Sequence, residues 1–422
     1  MKASMRRAAT VGLLAALCGA CGGTGEPPAD MEVVPPTDLG GEGDPLQVSF
    51  EALTLPGDPT DPTALAFVPG RSELVLAEKR GGLFHYRLEG DELTLLGSFA
   101  FPDVDFFQEC GVVGLAFDPD WQTNGYLYAS HCLDGRTSRI VRVTFDGTGH
   151  DEVIDSLVEV YRVGRDVVDE TRDHQHTMTT IGFDAAGALY ASVGDRRVND
   201  AARDPNEDLG SLIRIVPGAE GGSTPAPDNP YVDGGGSPNV FAKGLRSPWK
   251  VFLDREGRYW VGDVGGSFWE EVNLVTEPGQ NFGWPDHEGP CRMRCDGVVD
   301  AVVAYDRNPN HPYIREDPLT EPVPFRSVWV GVIYTPSAVD RYRGWLTGRL
   351  LFGDASQGWV RVLGVDAAEE VIEDRSIGHL VMPTAWAQGP DDWIYVTAFV
   401  DPNVFRAPRP GFLYRMVPRN EE

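Results

Sequence analysis

The chain has 422 residues, 41% hydrophobic and 24% charged, the make-up of a globular protein long enough to bury a substantial core. Its 64 acidic residues outnumber its 36 basic ones, for a formal net charge of −28. That balance excludes nucleic acid as a partner, because phosphate contacts require Lys and Arg. Acidity by itself speaks to solubility, not to fold.

The first predicted element is an export signal. MKASMRRAATVGLLAALCGACGG has a basic start (Lys2, Arg6, Arg7), an apolar stretch from Val11 to Leu17 and small residues before Cys21. This is a secretory signal pattern over residues 1–21. The apolar stretch is too short to span a bilayer. LCGAC is similar to a bacterial lipobox with Cys21 as the acylated residue, although Leu17 stands one position further away than usual and Cys18 takes its place. The expectation is a protein of the cell envelope, periplasmic or outer-membrane anchored through Cys21, or else secreted. Residues 22–45, rich in Gly, Pro and acid, read as a flexible linker.

Residues 46–419 then repeat one phrase six times: an apolar strand, an acidic or Pro-Gly turn, an aromatic-rich strand and a further strand. The copies open at Ala64 (ALAFVPGRSELVLAEKRGGLFHYRL), Val113 (VGLAFDPDWQTNGYLYASHC), Thr180 (TIGFDAAGALYASVGD), Lys250 (KVFLDREGRYWVGDVG), Gly331 (GVIYTPSAVDRYRGWLTGRLLFGD) and Ala385 (AWAQGPDDWIYVTAF). Each alternates apolar and polar residues over short runs, with Gly, Asp and Pro at the breaks, which is strand–turn–strand chemistry. Six such units predict an all-β, six-bladed β-propeller. A pair of sandwiches fits less well, because the repeats fill the whole mature chain. The inserts around 196–240 and 285–325 are rich in Pro, Gly and Asn and belong in loops, where function usually sits.

Six cysteines divide by context. Cys18 and Cys21 belong to the signal. Cys291 and Cys295 are close enough for a small loop disulfide, which leaves Cys110 with Cys132 in an oxidising compartment. Their spacing fits no common zinc pattern.

Polar groups gather in four stretches. DHQH (173–176) places two histidines at strand spacing, where alternate side chains share a face. They could be paired metal ligands, a base beside a bystander, or loop-end residues. GD ends at Asp195, GLRSP carries Arg246, and DVGGSFWEE carries Gly265 and Gly266, with Asp263, Glu270 and Glu271 supplying acid nearby. Trp249, Trp269, Trp284 and Trp386 lie on or near these stretches, for sugar stacking or for packing between blades.

Taken in order, these segments resemble the glucose/sorbosone dehydrogenase family. ECGVVGLAFDPDWQTNGYLYAS (109–130), DHQHTMTTIGFDAAGALYASVGD (173–195), GLRSPWKVFLDREGRYWVGDVGGSFWEEVNLV (244–275), GQNFGWPDHEGPC (279–291), GVIYTP (331–336) and GRLLFGD (348–354) carry the likeness, which spans most of residues 64–418. The family includes quinoprotein aldose dehydrogenases, six-bladed propellers holding pyrroloquinoline quinone (PQQ) and calcium. It also includes hedgehog-interacting-protein-like propellers not known as dehydrogenases. The resemblance implies an oxidoreductase acting on a small-molecule sugar, with an electron acceptor that the sequence does not specify. Asp173-His174-Gln175 follows the quinoprotein histidine strand, so the resemblance makes His174 the base that removes a hydroxyl proton before hydride passes to the quinone. It makes Asp195 the carboxylate that orients His174. It makes Arg246, Glu109 and Asp173 the cofactor-binding residues. The carbonyls of Gly265 and Gly266 would bind calcium.

The sequence also departs from the quinoprotein pattern. Glu109 stands where the sugar-binding enzymes have Gln, and Ser247 replaces an Asn. Ser356 occupies the place of a Lys, and Met382 and Thr384 the places of an Arg pair, that would hold the cofactor's carboxylates. His176 fills a position the family keeps small. Losing cations opposite three carboxylates lowers affinity through unpaired charge. A second reading follows: a non-catalytic carbohydrate- or protein-binding propeller tethered outside the cell. A third uses His174 and His176 as metal ligands, which would need a further protein ligand.

Overall fold

The computed structural model describes residues 46–165, 173–290, 296–307, 326–399 and 410–419. The signal, the linker and the Cys291–Cys295 pair lie outside the described residues. Six antiparallel sheets account for the strands. Blade 1 is Pro62–Phe67, Glu73–Glu78, Gly82–Glu89 and Glu92–Ala100. Blade 2 is Val112–Phe117, Tyr126–Asp134, Thr137–Thr144 and Val158–Gly164. Blade 3 is Met178–Phe183, Leu189–Val193, Ser211–Pro217 and Ser223–Pro225, with Val240–Lys243 pairing as a fifth strand. Blade 4 is Pro248–Leu253, Tyr259–Asp263, Trp269–Val275 and Val303–Asp306. Blade 5 is Val328–Ile333, Leu350–Asp354, Trp359–Val365 and Val371–His379.

Blade 6 takes three strands from the end of the chain, Pro383–Gln388, Ile394–Phe399 and Gly411–Pro418, and its outer strand, Val48–Leu53, from the start. Val48 pairs with Pro418 and Leu53 with Leu413, so the ring is closed by hydrogen bonds between the two ends of the folded region. Closure ties the last blade to the start of the folded region, while each blade keeps only short edge strands.

The core is six clusters, one between each pair of neighbouring blades. Strand alternation produces this division. In blade 2, Leu127 and Ala129 pack toward blade 1 while Tyr128 packs toward blade 3. In blade 4, Tyr259 and Val261 face blade 3 while Trp260 faces blade 5. A blade is apolar on both faces because both are covered, as a two-residue period between two neighbours requires.

Turns between first and second strands are fixed by repeated aspartates. Asp184 accepts the Ala186 and Ala188 N–H groups at 2.9 Å, and Asp254 accepts those of Glu256 and Arg258 at 3.0 and 2.9 Å. Such side-chain-to-backbone bonds are why Asp opens these turns. They lie at one face of the ring. The starts of the first strands, the turns between second and third strands and the links between blades lie at the other. His176, Asp195, Arg246 and Gly265 are all on that second, strand-start face.

Candidate active site

In blade 3, Met178 pairs with Val193. Carrying this antiparallel register two residues outward sets His176 opposite Asp195. The side chains meet: His176 Nδ1 lies 2.5 Å from Asp195 Oδ1. Gly194 lets the chains approach, since a Cβ there would stand 2.3 Å from the His176 carbonyl oxygen. Asp195 also accepts the Arg197 N–H at 2.8 Å and the Trp284 indole N–H at 2.9 Å, and its own N–H donates to the Arg246 carbonyl at 2.8 Å. The His176 N–H donates to Glu109 at 2.5 Å. Four links of the chain thus converge on one imidazole–carboxylate pair.

The pair is buried, Asp195 wholly and His176 to within 2%. Burial, reinforced by the Arg246 charge, holds the His176 imidazole below its ordinary pKa against the pull of Asp195. Burial alone would raise the Asp195 carboxyl, but His176 and Arg246 outweigh it and keep it below the usual carboxylate range. At neutral pH the pair is therefore a neutral imidazole beside a carboxylate. An ionised carboxylate only accepts, so Nδ1 carries the proton and the Nε2 lone pair is left for chemistry.

Arg246 adjoins this pair. Its guanidinium lies over the Trp284 ring, 5.4 Å from the centroid, and donates to the Val264 carbonyl at 2.8 Å. Its position is set from behind by Asp263, which accepts the Arg246 and Ser247 N–H groups at 2.8 and 2.7 Å. Burial, then the charge of Glu271, pushes the Asp263 carboxyl up to about 8. Glu271, bonded to the Gly289 N–H at 2.5 Å, is itself pushed up to about 7 by burial. Asp263, Glu270 and Glu271 are buried, not solvent-facing acids.

The family model for glucose/sorbosone dehydrogenases matches residues 60–399. The chain belongs to that family. It is 23% identical over 271 residues to quinoprotein glucose dehydrogenase B of Acinetobacter calcoaceticus (57% of this chain, 53% of that protein). It is 25% identical over 240 residues to the HIPL1 protein of Arabidopsis thaliana (44% of this chain, 34% of that protein). The chain thus spans about half or less of the length of these curated relatives. Among solved structures it is similar to the PQQ-bound form of aldose sugar dehydrogenase from Streptomyces coelicolor (19% identity, TM-score 0.64, 89% of this chain and 100% of that one). It is also similar to the apo-form of soluble aldose sugar dehydrogenase from Escherichia coli (19% identity, TM-score 0.66, 88% and 100%). At these identities the structural likeness speaks for the fold.

Within this glucose/sorbosone dehydrogenase family member, the expected pair of His174 with Asp195 is not formed. His174, at φ +69°, turns outward. Its Nε2 meets Asp105 at 2.9 Å and its ring packs edge-on to Phe107 at 5.1 Å. The reason is register. The Met178–Val193 register puts residue 176 across from residue 195, and without the one-residue shift at the β-bulge between Met178 and Ile181 the facing residue would be Thr177, so neither register brings residue 174 opposite Asp195. Asp173 is held by Arg165 at 2.5 Å, away from Asp195. Glu109 does reach the pair, through the His176 N–H. His174 and His176 face different carboxylates, so they do not form a joint metal site, and no cluster of three or more metal-ligating side chains occurs among the described residues. Trp284 is the contributor that sequence reasoning left undecided between stacking and packing. It does neither alone, because its N–H holds Asp195.

The donor set answers differently for the two expected cofactors. Arg246, buried to within 4% and with one donor on Val264, fits a quinone or carboxylate oxygen of PQQ. No cation stands at 356, 382 or 384, and the Thr384 hydroxyl is engaged with the Pro62 carbonyl at 2.8 Å. For calcium the turn does not fit. The Gly265 carbonyl, expected as a ligand, accepts Arg307 Nη1 at 3.0 Å, and the Gly266 N–H donates to Glu288 at 2.7 Å.

Proposed function

We propose that this protein is an exported quinoprotein-type oxidoreductase that oxidises a sugar hydroxyl, with His176 as the base. The observation that carries this is the buried His176–Asp195 pair on the strand-start face. A base must be unprotonated at the working pH, and burial keeps His176 neutral. Asp195 fixes the tautomer with Nδ1 protonated, and Trp284 and Arg197 fix Asp195. As the hydroxyl proton moves to Nε2, the imidazolium that forms is stabilised 2.5 Å from a carboxylate. When bound, PQQ supplies the two-electron acceptor for the hydride. Arg246 is the residue of this site suited to hold it. The Cys110–Cys132 disulfide, with Cα atoms 5.4 Å apart, supports an oxidising compartment, and export with anchoring through Cys21 is part of the proposal.

The test is dye-linked sugar oxidation after adding PQQ to purified protein, with His176→Gln and His174→Gln compared. His176→Gln is expected to lose about 10²–10⁴ of the rate, the range of a general base, and His174→Gln to stay near wild type. The reverse order would assign the base to His174 and refute this reading. A second reading, a binding propeller without turnover, is favoured by the missing cations at 356, 382 and 384. An absorbance titration with PQQ separates the two, since the binding module predicts no saturable change.

A further inference from the structure

We propose that Arg307 takes the place of a metal ion at the Val264–Trp269 turn, so that this protein holds the turn beside Arg246 and Trp284 without calcium. The proposal rests on the family assignment and on the turn's own geometry, not on sugar oxidation.

Six of the turn's backbone polar groups are already matched by charges of the same chain. Two consecutive carbonyls each accept a guanidinium: Val264 from Arg246 at 2.8 Å and Gly265 from Arg307 at 3.0 Å. Four consecutive N–H groups, from Gly266 to Trp269, all point at Glu288 Oε1, at 2.7 to 3.2 Å. Such a run of N–H groups is an anion cradle, and Glu288 fills it. The backbone of Arg307 is also tied to the turn, its N–H donating to the Phe268 carbonyl at 2.9 Å. The turn is so tight at Gly265 that a Cβ would stand 1.4 Å from the Trp269 carbonyl oxygen.

Calcium requires six to eight oxygens at roughly 2.3–2.6 Å. The acids around this turn offer few. Glu270, wholly buried, binds Arg307 through one oxygen and the Val328 N–H, at 2.9 Å, through the other. Glu271 accepts from Gly289 and Asn273, at 2.5 and 3.1 Å. Asp263 accepts from Arg246 and Ser247. A divalent ion at the Gly265 carbonyl would face the Arg307 guanidinium bonded to that same oxygen. Displacing Arg307 would strand Glu270 as a buried, uncompensated charge. One fixed guanidinium, balanced by one buried carboxylate, thus supplies the positive charge that a bound cation would bring.

The test uses the full purified chain and terbium(III), a luminescent calcium mimic that Trp269 and Trp284 would sensitise. For the wild type we expect no saturable one-to-one signal and a melting temperature that agrees within about 1 °C between EDTA and millimolar calcium. Arg307→Ala is expected to melt lower in EDTA and to recover part of the loss in calcium, because the Gly265 carbonyl and Glu270 are released. Arg307→Lys keeps a cation and is expected to remain insensitive to calcium. If Arg307→Ala fails to fold, the wild-type and Arg307→Lys measurements still decide. A saturable one-to-one terbium signal from the wild type, displaced by calcium and unchanged or weaker in Arg307→Ala, overturns the proposal. Neither readout involves turnover, so an inactive enzyme would leave this result unaffected.

Discussion

The two mouths of the ring differ in what they do with buried charge. At the turn-side mouth lies a cavity of about 720 Å³, lined in part by Phe67, Arg71, Asp254, Arg258, Gln388 and Asp392. Its carboxylates are tied into the fold. Asp254 holds Arg258 and the Trp260 indole at 2.8 and 3.0 Å. Asp392 accepts the N–H groups of Ser337, Ala338 and Val339 at 2.7 to 2.8 Å. At the strand-start mouth the buried groups are poised. His176 is neutral beside an ionised Asp195, and Asp263 and Glu271 titrate near neutral pH. A cavity marks one mouth, and buried acids with raised pKa values mark the other.

The largest expected effect sits at the strand-start mouth. His176→Gln should lower the rate by about 10²–10⁴ while leaving the fold intact. Asp195→Asn should move the acid limb of the rate profile to still lower pH, because Asp195 raises the imidazole pKa against burial. If the limb moves upward instead, Asp195 is not the group that holds His176. At the other mouth, Asp392→Ala should leave the rate unchanged and cost about 1–3 kcal/mol by removing the charged acceptor of three part-buried N–H groups, read by denaturant unfolding. The Asp392 carboxyl lies well below its ordinary pKa although burial would raise it, because the Val339, Ser337 and Ala338 N–H groups outweigh burial. Its stabilisation is therefore present above about pH 4 and is lost as pH falls toward the depressed value. A rate loss in Asp392→Ala would dissolve the contrast between the mouths.

Stability should also slope the opposite way on account of the strand-start mouth. Asp263 and Glu271 have folded-state pKa values raised to about 8 and about 7. Their contribution is full below the unfolded pKa near 4 and is lost as pH rises through the folded values. Between about pH 5 and pH 8 the melting temperature should fall from this source, and Asp263→Asn should flatten the slope. An unchanged slope in that variant would mean that Asp263 does not titrate there.

Much of the fold is legible locally, because each repeat carries its own alternation and its own Asp or Gly turn. All six repeats became blades. The closing strand Val48–Leu53 is not legible in this way, since its pairing with Gly411–Pro418 joins residues more than 350 positions apart and no local pattern encodes it. The cysteine pairing of 110 with 132 followed from counting and compartment. The site was half legible. Asp195, Arg246 and Glu109 do meet around one histidine, but the likeness of DHQ to a family strand pointed two residues too early. The hairpin register, which composition and periodicity do not encode, sets residue 176 and not residue 174 opposite Asp195. The burial of Asp263, Glu270 and Glu271 was hidden too, because acids in a strand read as solvent-facing until both neighbouring blades are in place.

The smallest expected effect belongs to the histidine that the sequence favoured. His174 pairs with Asp105 at 2.9 Å, with both side chains about a quarter exposed, and leans on the exposed ring of Phe107. Screened pairs of this kind contribute about 0–1 kcal/mol. The backbone of residue 174 does more than its side chain. Its N–H donates to the Gly135 carbonyl at 2.6 Å, and its carbonyl accepts the Glu109 N–H at 3.1 Å. Those bonds help to place Glu109, which in turn holds His176. His174→Gln keeps both and should change stability by less than about 1 kcal/mol and turnover by less than a few fold. His174→Pro removes the N–H donor and, because proline fixes φ near −65°, cannot adopt φ +69°. It should therefore loosen Glu109 and lower turnover through the backbone. Equal effects of the Gln and Pro variants would place the function of residue 174 in its side chain and break the distinction between the two histidines.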